Sequence, residues 1–368
     1  MYLTVTKRRG KNTRHKMSKH FYDNTTLLSK LDIDGLRPEI YITSGTRTGG
    51  KSFCWKKYLL DLWLEDRTKK PILLFRKADE LTDCLEAFLK DLKEGYPEKY
   101  GDLEASEQSM SRGVFYNLFI NEEHFGYAMA LTSSDKIRKK SAMFVDAWCV
   151  FFDEFQSETE DYLPDEIIRF QSIHMSVARG GGKHVRYLPV FMVSNNISLL
   201  NPYYMSMGIY SRLNSAVHFL RGHGYVLECT HSKEAAEEMD ESGFNRAFGE
   251  SDYLKMARDN TYLLDSDTFL ERKNVELCSY QCTILYDNRH YGVWLDYNDG
   301  TLYCSRKFKP DHPFKVAVSA KDHNTATMMM TVGDPVMKTW RVGFNRGIWR
   351  FETLMCKKVI LDTLGRAW

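Results

Sequence analysis

Eight residues, Gly45-Thr46-Arg47-Thr48-Gly49-Gly50-Lys51-Ser52, match G-x-x-x-x-G-K-[ST] at every fixed position. No other stretch restricts the fold so tightly. Glycines let successive backbone N–H groups curl around a phosphate chain, Lys51 reaches the β- and γ-phosphates, and the Ser52 hydroxyl suits Mg²⁺. Such a loop works between a strand and a helix, with the helix N-terminus facing the anion. Residues 39–43 form a short β-branched and aromatic run, and Phe53 to Asp66 carry apolar residues at helical spacing. The pattern predicts a nucleotide site binding ATP with Mg²⁺.

Downstream, apolar strands alternate with helices. Residues 71–76 read as a buried strand, 79–93 as a helix, 114–120 and 125–131 as a hairpin, and 132–141 as a basic loop. Residues 147–152 form the most apolar strand of the first half, 164–178 a helix, and 187–193 another buried strand. Near-continuous apolar strands imply a mostly parallel sheet covered on both faces. From about Leu264 the texture turns to antiparallel β, with strands at 280–286, 290–297 and 301–306 and a closing helix over 348–364. At 368 residues two domains are expected: a basic disordered tail over 1–25, a phosphate-loop domain over 26–230, a connector over 231–262 and a smaller domain over 263–368. No run of eighteen apolar residues appears, so no membrane span is expected. The eight scattered cysteines read as reduced thiols. The tail carries Lys7, Arg8, Arg9, Lys11, Arg14, Lys16 and Lys19 with no acid before Asp23. It suits either a solvated tail or contact with phosphate backbones.

Hydrolysis of a γ-phosphate requires a metal anchor, a group that activates water, and positive charge for the transition state. Asp153 and Glu154 end the 147–152 strand. Asp153 is the candidate for the Mg²⁺ shell and Glu154 for the base. Asn195 ends the next apolar strand, where an amide is either a γ-phosphate sensor or a turn residue. Arg179 follows a helix and precedes three glycines. It suits an arginine finger for a neighbouring subunit, or a cation favoured by the helix dipole. Lys140 is a second candidate for that work. Arg47 is placed to contact phosphate in cis, and Arg76 to face DNA or solvent.

The order GTRTGGKS, CVFFDEF, SVARGGG, VFMVSNNISLLNPYY resembles the DNA-packaging ATPases of phi-29-like tailed phages, as do the later stretches YGVWLDYNDGTLY and NRGIWRFETL. The resemblance implies an ATPase ring, pentameric, at the portal vertex of a prohead in the host cytoplasm. It would drive double-stranded DNA inward beside a prohead RNA. It carries over Lys51 and Ser52 as phosphate and Mg²⁺ contacts, Asp153 and Glu154 as the acidic pair, Arg179 as the trans finger and, less securely, Lys140 as a trans lysine. The implied fold is α/β: a P-loop NTPase of ASCE, RecA-like type, its mostly parallel sheet flanked by helices, plus an α+β RNase H-like C-terminal domain. Larger relatives, the terminases, cut DNA with that domain. Here Asp296 falls on a strand while Asp287 and Asp299 fall in turns, so a non-cutting docking domain is expected, with Arg341, Arg346, Arg350, Lys357 and Lys358 as gripping candidates. A nuclease-active packaging enzyme and a helicase-type single-strand translocase are the rival readings.

Overall fold

The computed structural model describes residues 22–47, 49–179, 185–213, 217–231, 242–248, 269–331 and 333–366, with isolated positions between. The tail up to residue 21, Thr48 and most of the 231–262 connector lie outside the described residues. The chain divides into two compact units. One takes residues up to Ile197 with Ser211–Thr261, the other Ser198–Tyr210 with Tyr262–Trp368. Residues 198–210 thus go with the second unit, inside the range that the sequence reading assigns to the first.

The first unit is built on a nine-stranded sheet of β1 (Ile40–Gly45), β2 (Lys70–Phe75), β3 (Ala105–Met110), β4 (Phe115–Ile120), β5 (Glu123–Ala130), β6 (Ala147–Asp153), β7 (Val190–Asn195), β8 (Phe219–Gly222) and β9 (Tyr225–Thr230). Their order is β3-β4-β5-β2-β6-β7-β1-β9-β8. The six strands from β5 to β9 in that order run parallel. Antiparallel pairs lie toward the two edges. β7 therefore lies between β1, which leads into the glycine loop, and β6, which ends in the acidic pair.

Both faces of the sheet are covered because the central strands are apolar on both sides. Phe151 and Phe152 are neighbours on β6 and point to opposite faces. Phe151 enters the cluster beneath the helix Lys51–Glu65, while Phe152 stacks on Phe170 of the helix Glu166–Ala178, ring centroids 6.2 Å apart. Trp55 anchors the phosphate-loop helix. It is fully buried, stacks on Phe191 of β7 at 4.5 Å, and donates its indole N–H to Thr43 Oγ1 at 2.9 Å.

Several expectations need correction. The predicted 79–93 helix begins at Cys84 and is preceded by a 3₁₀ turn at Ala78–Leu81. Asp83 between them takes a left-handed backbone, φ 57°, and the Glu107 carboxylate accepts the N–H groups of Asp83 and Leu85. The basic 132–141 loop contains a short helix, Ser134–Arg138. The 348–364 helix is a strand, β15 (Trp349–Phe351), followed by a helix at Leu354–Arg366, and another helix at Pro335–Asn345 precedes it. Residues 22–25, assigned to the tail, are seated: Tyr22 N–H donates to Gly49 O at 3.1 Å and Asn24 is buried.

The second unit holds β10 (Ser279–Tyr286), β11 (Arg289–Asp296), β12 (Thr301–Ser305), β13 (Lys315–Ala317), β14 (Met328–Met329) and β15 in the order β14-β13-β10-β11-β12-β15. The antiparallel meander β10-β11-β12, extended past β10 by two short parallel strands, is the pairing expected of an RNase H-like sheet. β15 adds a sixth strand parallel to β12. Trp340 and Trp349 meet edge to face at 5.6 Å in its core. Among the described residues no helix is long and apolar enough to cross a membrane. The eight cysteines are free thiols, six of them buried.

Glu228 of β9 is a buried carboxyl under the phosphate-loop helix. It accepts from the Tyr22 hydroxyl at 2.7 Å, and His218 Nε2 lies 3.7 Å away. Loss of solvent is the largest effect and raises its pKa above the ordinary 4.5. A raised folded pKa means that the folded chain binds the extra proton, so this stabilisation is complete below pH 4.5 and is lost as pH rises through the folded value. The difference in unfolding free energy between wild type and Glu228→Gln should therefore shift in favour of the variant as pH rises above 4.5. Urea titrations at a series of pH values check it, and a difference that does not move with pH contradicts it.

Candidate functional site

The glycine loop is shaped by two positions that favour glycine, one by its backbone and one by a close approach. Gly50, at φ 76° and ψ 16°, turns the chain into the helix through left-handed backbone. At Gly45 a Cβ would fall 2.1 Å from the Thr230 carbonyl oxygen of β9. The loop is therefore held against β9, with Thr46 N–H donating to Thr230 O at 3.2 Å. Lys51, the first residue of the helix, is 5% exposed. Its ammonium donates to Thr46 O, to Gly45 O at 3.4 Å and to Asn195 Oδ1 at 3.3 Å. Burial pulls its pKa down to about 8, against the pull of Asp153 upward.

Register brings the distant motifs together. Gly45, Asn195 and Thr230 are aligned across three adjacent parallel strands, and Asp153 is aligned with Val193. The Ser52 hydroxyl donates to Asp153 Oδ1 at 2.8 Å, and that oxygen also accepts the Glu154 N–H at 3.1 Å. Loss of solvent pushes the Asp153 carboxyl up, against Lys56 and the Ser52 hydrogen bond. Glu154 leaves the strand in left-handed backbone, φ 53°, an uncommon conformation for a side-chain-bearing residue and one that collects at functional sites. Its carboxyl is also raised, first by loss of solvent, then by Asp153 and Glu158. A cavity of about 490 Å³ opens here, lined by Arg76, Asp153, Glu154, Gln156, Glu158 and Asn195 among others.

These residues fit a magnesium–triphosphate. Ser52 and Asp153 offer adjoining hard oxygen donors of the kind Mg²⁺ prefers. The Thr46 hydroxyl is buried with no hydrogen-bond partner among the described residues. Lys51 and Gly50 stand at a helix N-terminus. Arg47, in the loop, pairs with Glu158 at 3.0 Å.

Two candidates lie elsewhere. The helix Glu166–Ala178 starts near the acidic end of β6 and returns toward the start of that strand, a run of about 20 Å at 1.5 Å per residue. Arg179, exposed at its end, is therefore at the opposite edge of the sheet from Lys51. Lys140 precedes the 3₁₀ turn Ser141–Phe144 that leads into the start of β6, again away from the loop. Neither joins the site of its own chain.

Arg76 is tied into the fold rather than solvated. Its Nε meets both Glu166 oxygens at 3.1 Å, and Nη2 donates to Phe155 O at 2.7 Å. Its guanidinium also lies over Tyr162 at 5.2 Å. An arginine after a strand reads as surface, and nothing in the local pattern marks Glu166 as its partner ninety residues on. Sequence reasoning also missed a buried polar set behind Asn195. Ser44 Oγ donates to Asn196 Oδ1 at 2.7 Å, Gln156 Nε2 donates to Ser44 Oγ at 3.3 Å, and Gln156 Oε1 accepts the Ile197 N–H at 3.2 Å.

In the second unit Lys273 lies among carboxylates, donating to Asp296 Oδ2 at 2.9 Å and to Asp299, with Glu271 at 3.8 Å. Asp287 pairs with Lys321 at 3.3 Å. Of the basic gripping candidates, Arg341 donates to Leu364 O, Arg350 pairs with Glu271 at 3.5 Å, and Lys358 with Asp362 at 3.8 Å, so these three are tied into the fold.

Gln156→Leu should cost about 1–3 kcal/mol, because the buried Ile197 N–H loses its acceptor, and should weaken nucleotide binding by releasing the strand end that carries Asn195. Denaturant unfolding and nucleotide titration measure both. Wild-type stability would show that the strand end does not depend on this acceptor.

The family of the podovirus DNA encapsidation protein (Gp16) matches residues 17–367. The DNA packaging protein of Bacillus phage phi29 is 22% identical over 322 residues, 86% of this chain and 91% of that protein. That of Bacillus phage B103 is 24% identical over 286 residues, 76% of this chain and 81% of that one. Among solved structures, the bacteriophage Phi-29 viral genome packaging motor assembly superposes with a TM-score of 0.67 at 19% identity, over 95% of this chain and 100% of that chain. The Phi-28 gp11 DNA packaging motor does so at 0.60 and 15%, over 94% and 98%. At these identities the structural likeness speaks for the fold, and the match along nearly the whole sequence speaks for descent: this chain belongs to the podovirus DNA encapsidation protein (Gp16) family.

Proposed function

We propose that this chain is the subunit of a viral DNA-packaging motor that hydrolyses ATP to drive double-stranded DNA into a prohead. The observation that carries the reading is the 2.8 Å contact between Ser52 and Asp153, which joins two motifs a hundred residues apart beside a buried lysine. Family membership supports the packaging role. The named relatives are a packaging protein and two packaging motors; work at the portal vertex as one subunit of a ring, with portal and prohead RNA as partners, is taken from the family resemblance. The ring is taken as a pentamer from the family resemblance.

In this reading Lys51, held at the loop by carbonyl oxygens, turns its ammonium to the β- and γ-phosphates. The loop that opens at Gly45 and closes at Gly50 lines the phosphate chain. Ser52 and Asp153 hold Mg²⁺, which when bound neutralises charge on the phosphate oxygens. Glu154, with its pKa raised by its surroundings, accepts a proton from the attacking water. Asn195 holds Lys51 through its amide oxygen and senses the γ-phosphate. Arg179 from a neighbouring copy supplies positive charge for the transition state, with Lys140 as an accessory cation. The second unit docks rather than cuts, since Lys273 neutralises Asp296 and Asp299.

Glu154→Gln should bind ATP with wild-type affinity and hydrolyse it about a hundredfold or more slowly. Nucleotide titration and steady-state turnover in the presence of proheads and duplex DNA check this, and unchanged turnover removes Glu154 as the base. Arg179→Ala should bind nucleotide normally and lose prohead-stimulated hydrolysis by about a thousandfold. A monomeric preparation hydrolysing at the full assembled rate would rule out action between subunits.

A further inference from the structure

We propose that Ser198 and Leu199 form the joint through which the state of the nucleotide site is passed to the second unit, and that Asp265 is the residue that keeps this joint stiff. The inference rests on the reading of the chain as an ATP-driven packaging subunit and names the element that carries the coupling.

The chain passes between the units at three places, after Ile197, after Tyr210 and after Thr261. The first of these starts at the nucleotide site. Asn195, whose amide oxygen holds Lys51, ends β7 two residues before Ile197. The residues up to the crossing are held by the first unit. Asn196 is buried and accepts from Ser44, and the Ile197 N–H donates to Gln156. The residues just past it are held by the second unit. Asp265 takes both with one carboxylate, Oδ1 accepting the Ser198 hydroxyl at 2.8 Å and Oδ2 the Leu199 N–H at 2.6 Å. A charged acceptor makes such bonds about twice as strong as neutral ones.

Beyond the joint the chain is built into the second unit. The Ser198 hydroxyl oxygen accepts the Leu200 N–H at 3.0 Å, and its carbonyl accepts Asn201 Nδ2 at 2.7 Å. Asn201 caps the helix Pro202–Ser206 by accepting the Tyr204 N–H at 2.9 Å. Leu200, Met205 and Tyr210 pack against the core that holds Trp340 and Trp349. Ile197 thus belongs to one set of hydrogen bonds and Ser198 to the next, with no slack residue between them. Coupling travels through contiguous elements that are packed and hydrogen-bonded, whereas a loose linker absorbs a displacement. A shift of Asn195 on loss of the γ-phosphate must either open the Asp265 fork or carry residues 198–206 with it.

The test uses the full chain on proheads with duplex DNA. Asp265→Ala leaves the cavity lining unchanged and should hydrolyse ATP at a rate within about twofold of wild type, while DNA packaged per ATP should fall about tenfold, the usual size of a coupling between sites. A contact that serves folding alone would lower hydrolysis and packaging together or leave both as they are, so an unchanged ratio overturns the proposal. If Asp265→Ala does not fold, two glycines inserted between Ile197 and Ser198 decide. The insertion keeps every side chain and adds only slack, and it should lower the ratio in the same way. Wild-type packaging per ATP by the insertion overturns the joint and leaves the packaging reading standing. A wild-type chain that hydrolyses ATP with proheads and duplex DNA but moves no DNA removes the packaging reading, and the joint with it.

Discussion

An ammonium group almost without water is the constraint around which the first unit is arranged. Lys51 sits at a helix N-terminus, where the dipole already repels a cation. Burial pulls its pKa down to about 8. Three oxygens hold it, from Thr46, Gly45 and Asn195. Each comes from a different demand on the backbone: the loop must turn twice on itself, β1 must press against β9 at Gly45, and β7 must end level with β1. A phosphate chain in the loop would add the counter-charge that these neutral oxygens lack, so binding energy and loop order are one quantity here.

The place of β7 explains the rest of the site. Strands lie about 4.8 Å apart, so an intervening strand separates β1 from β6 by roughly twice that distance. That gap is wide enough for the head of the phosphate-loop helix to bring Ser52 across to Asp153. Asn195, on the intervening strand, then meets Lys51 as a consequence of register. The polar set of Ser44, Gln156 and Asn196 fills the space behind it, and a set with these hydrogen bonds satisfied favours one arrangement of the strand end. Arg76 extends the same logic outward. Its fork ties the end of β2 to Phe155, next to Glu154, and to Glu166, at the head of the helix that ends in Arg179.

Much of this was legible in the sequence where one residue type carries one physical demand. The glycine loop, the acidic strand end and the apolar central strands are of that kind, and alternating strands and helices implied a largely parallel sheet. Less was legible where the signal is shared between distant residues. Glu107 caps the helix at Cys84 from another strand, so the local pattern, which runs on from Asp79, placed the helix start too early. β3 escaped notice because an edge strand with polar residues on both faces lacks alternation. Trp349 and Phe351 look helical beside the apolar residues that follow, yet pairing with β12 draws them into the sheet. Arg76 looked like surface because its partner lies ninety residues downstream. The RNase H-like order in the second unit came from resemblance, and pairing rather than spacing is what displays it.

The polarity of the fold sets the last step. In a parallel sheet every strand ends at the same edge, so the loop, the acidic pair and Asn195 gather there together. A helix that connects two such strands must run back to the other edge, and whatever stands at its end is carried away from the site by the length of the sheet. Arg179 is in that position, and Lys140, before the turn that leads into the start of β6, lies toward the same edge. A cation at the far edge does not reach its own triphosphate without unfolding the helix that bears it, whereas a second copy rotated about a ring axis brings far edge to near edge with the helix intact. Under the proposed trans role, the same connection that keeps the arginine from its own site would make it available to another copy, and the direction of the strands would then set the requirement for assembly.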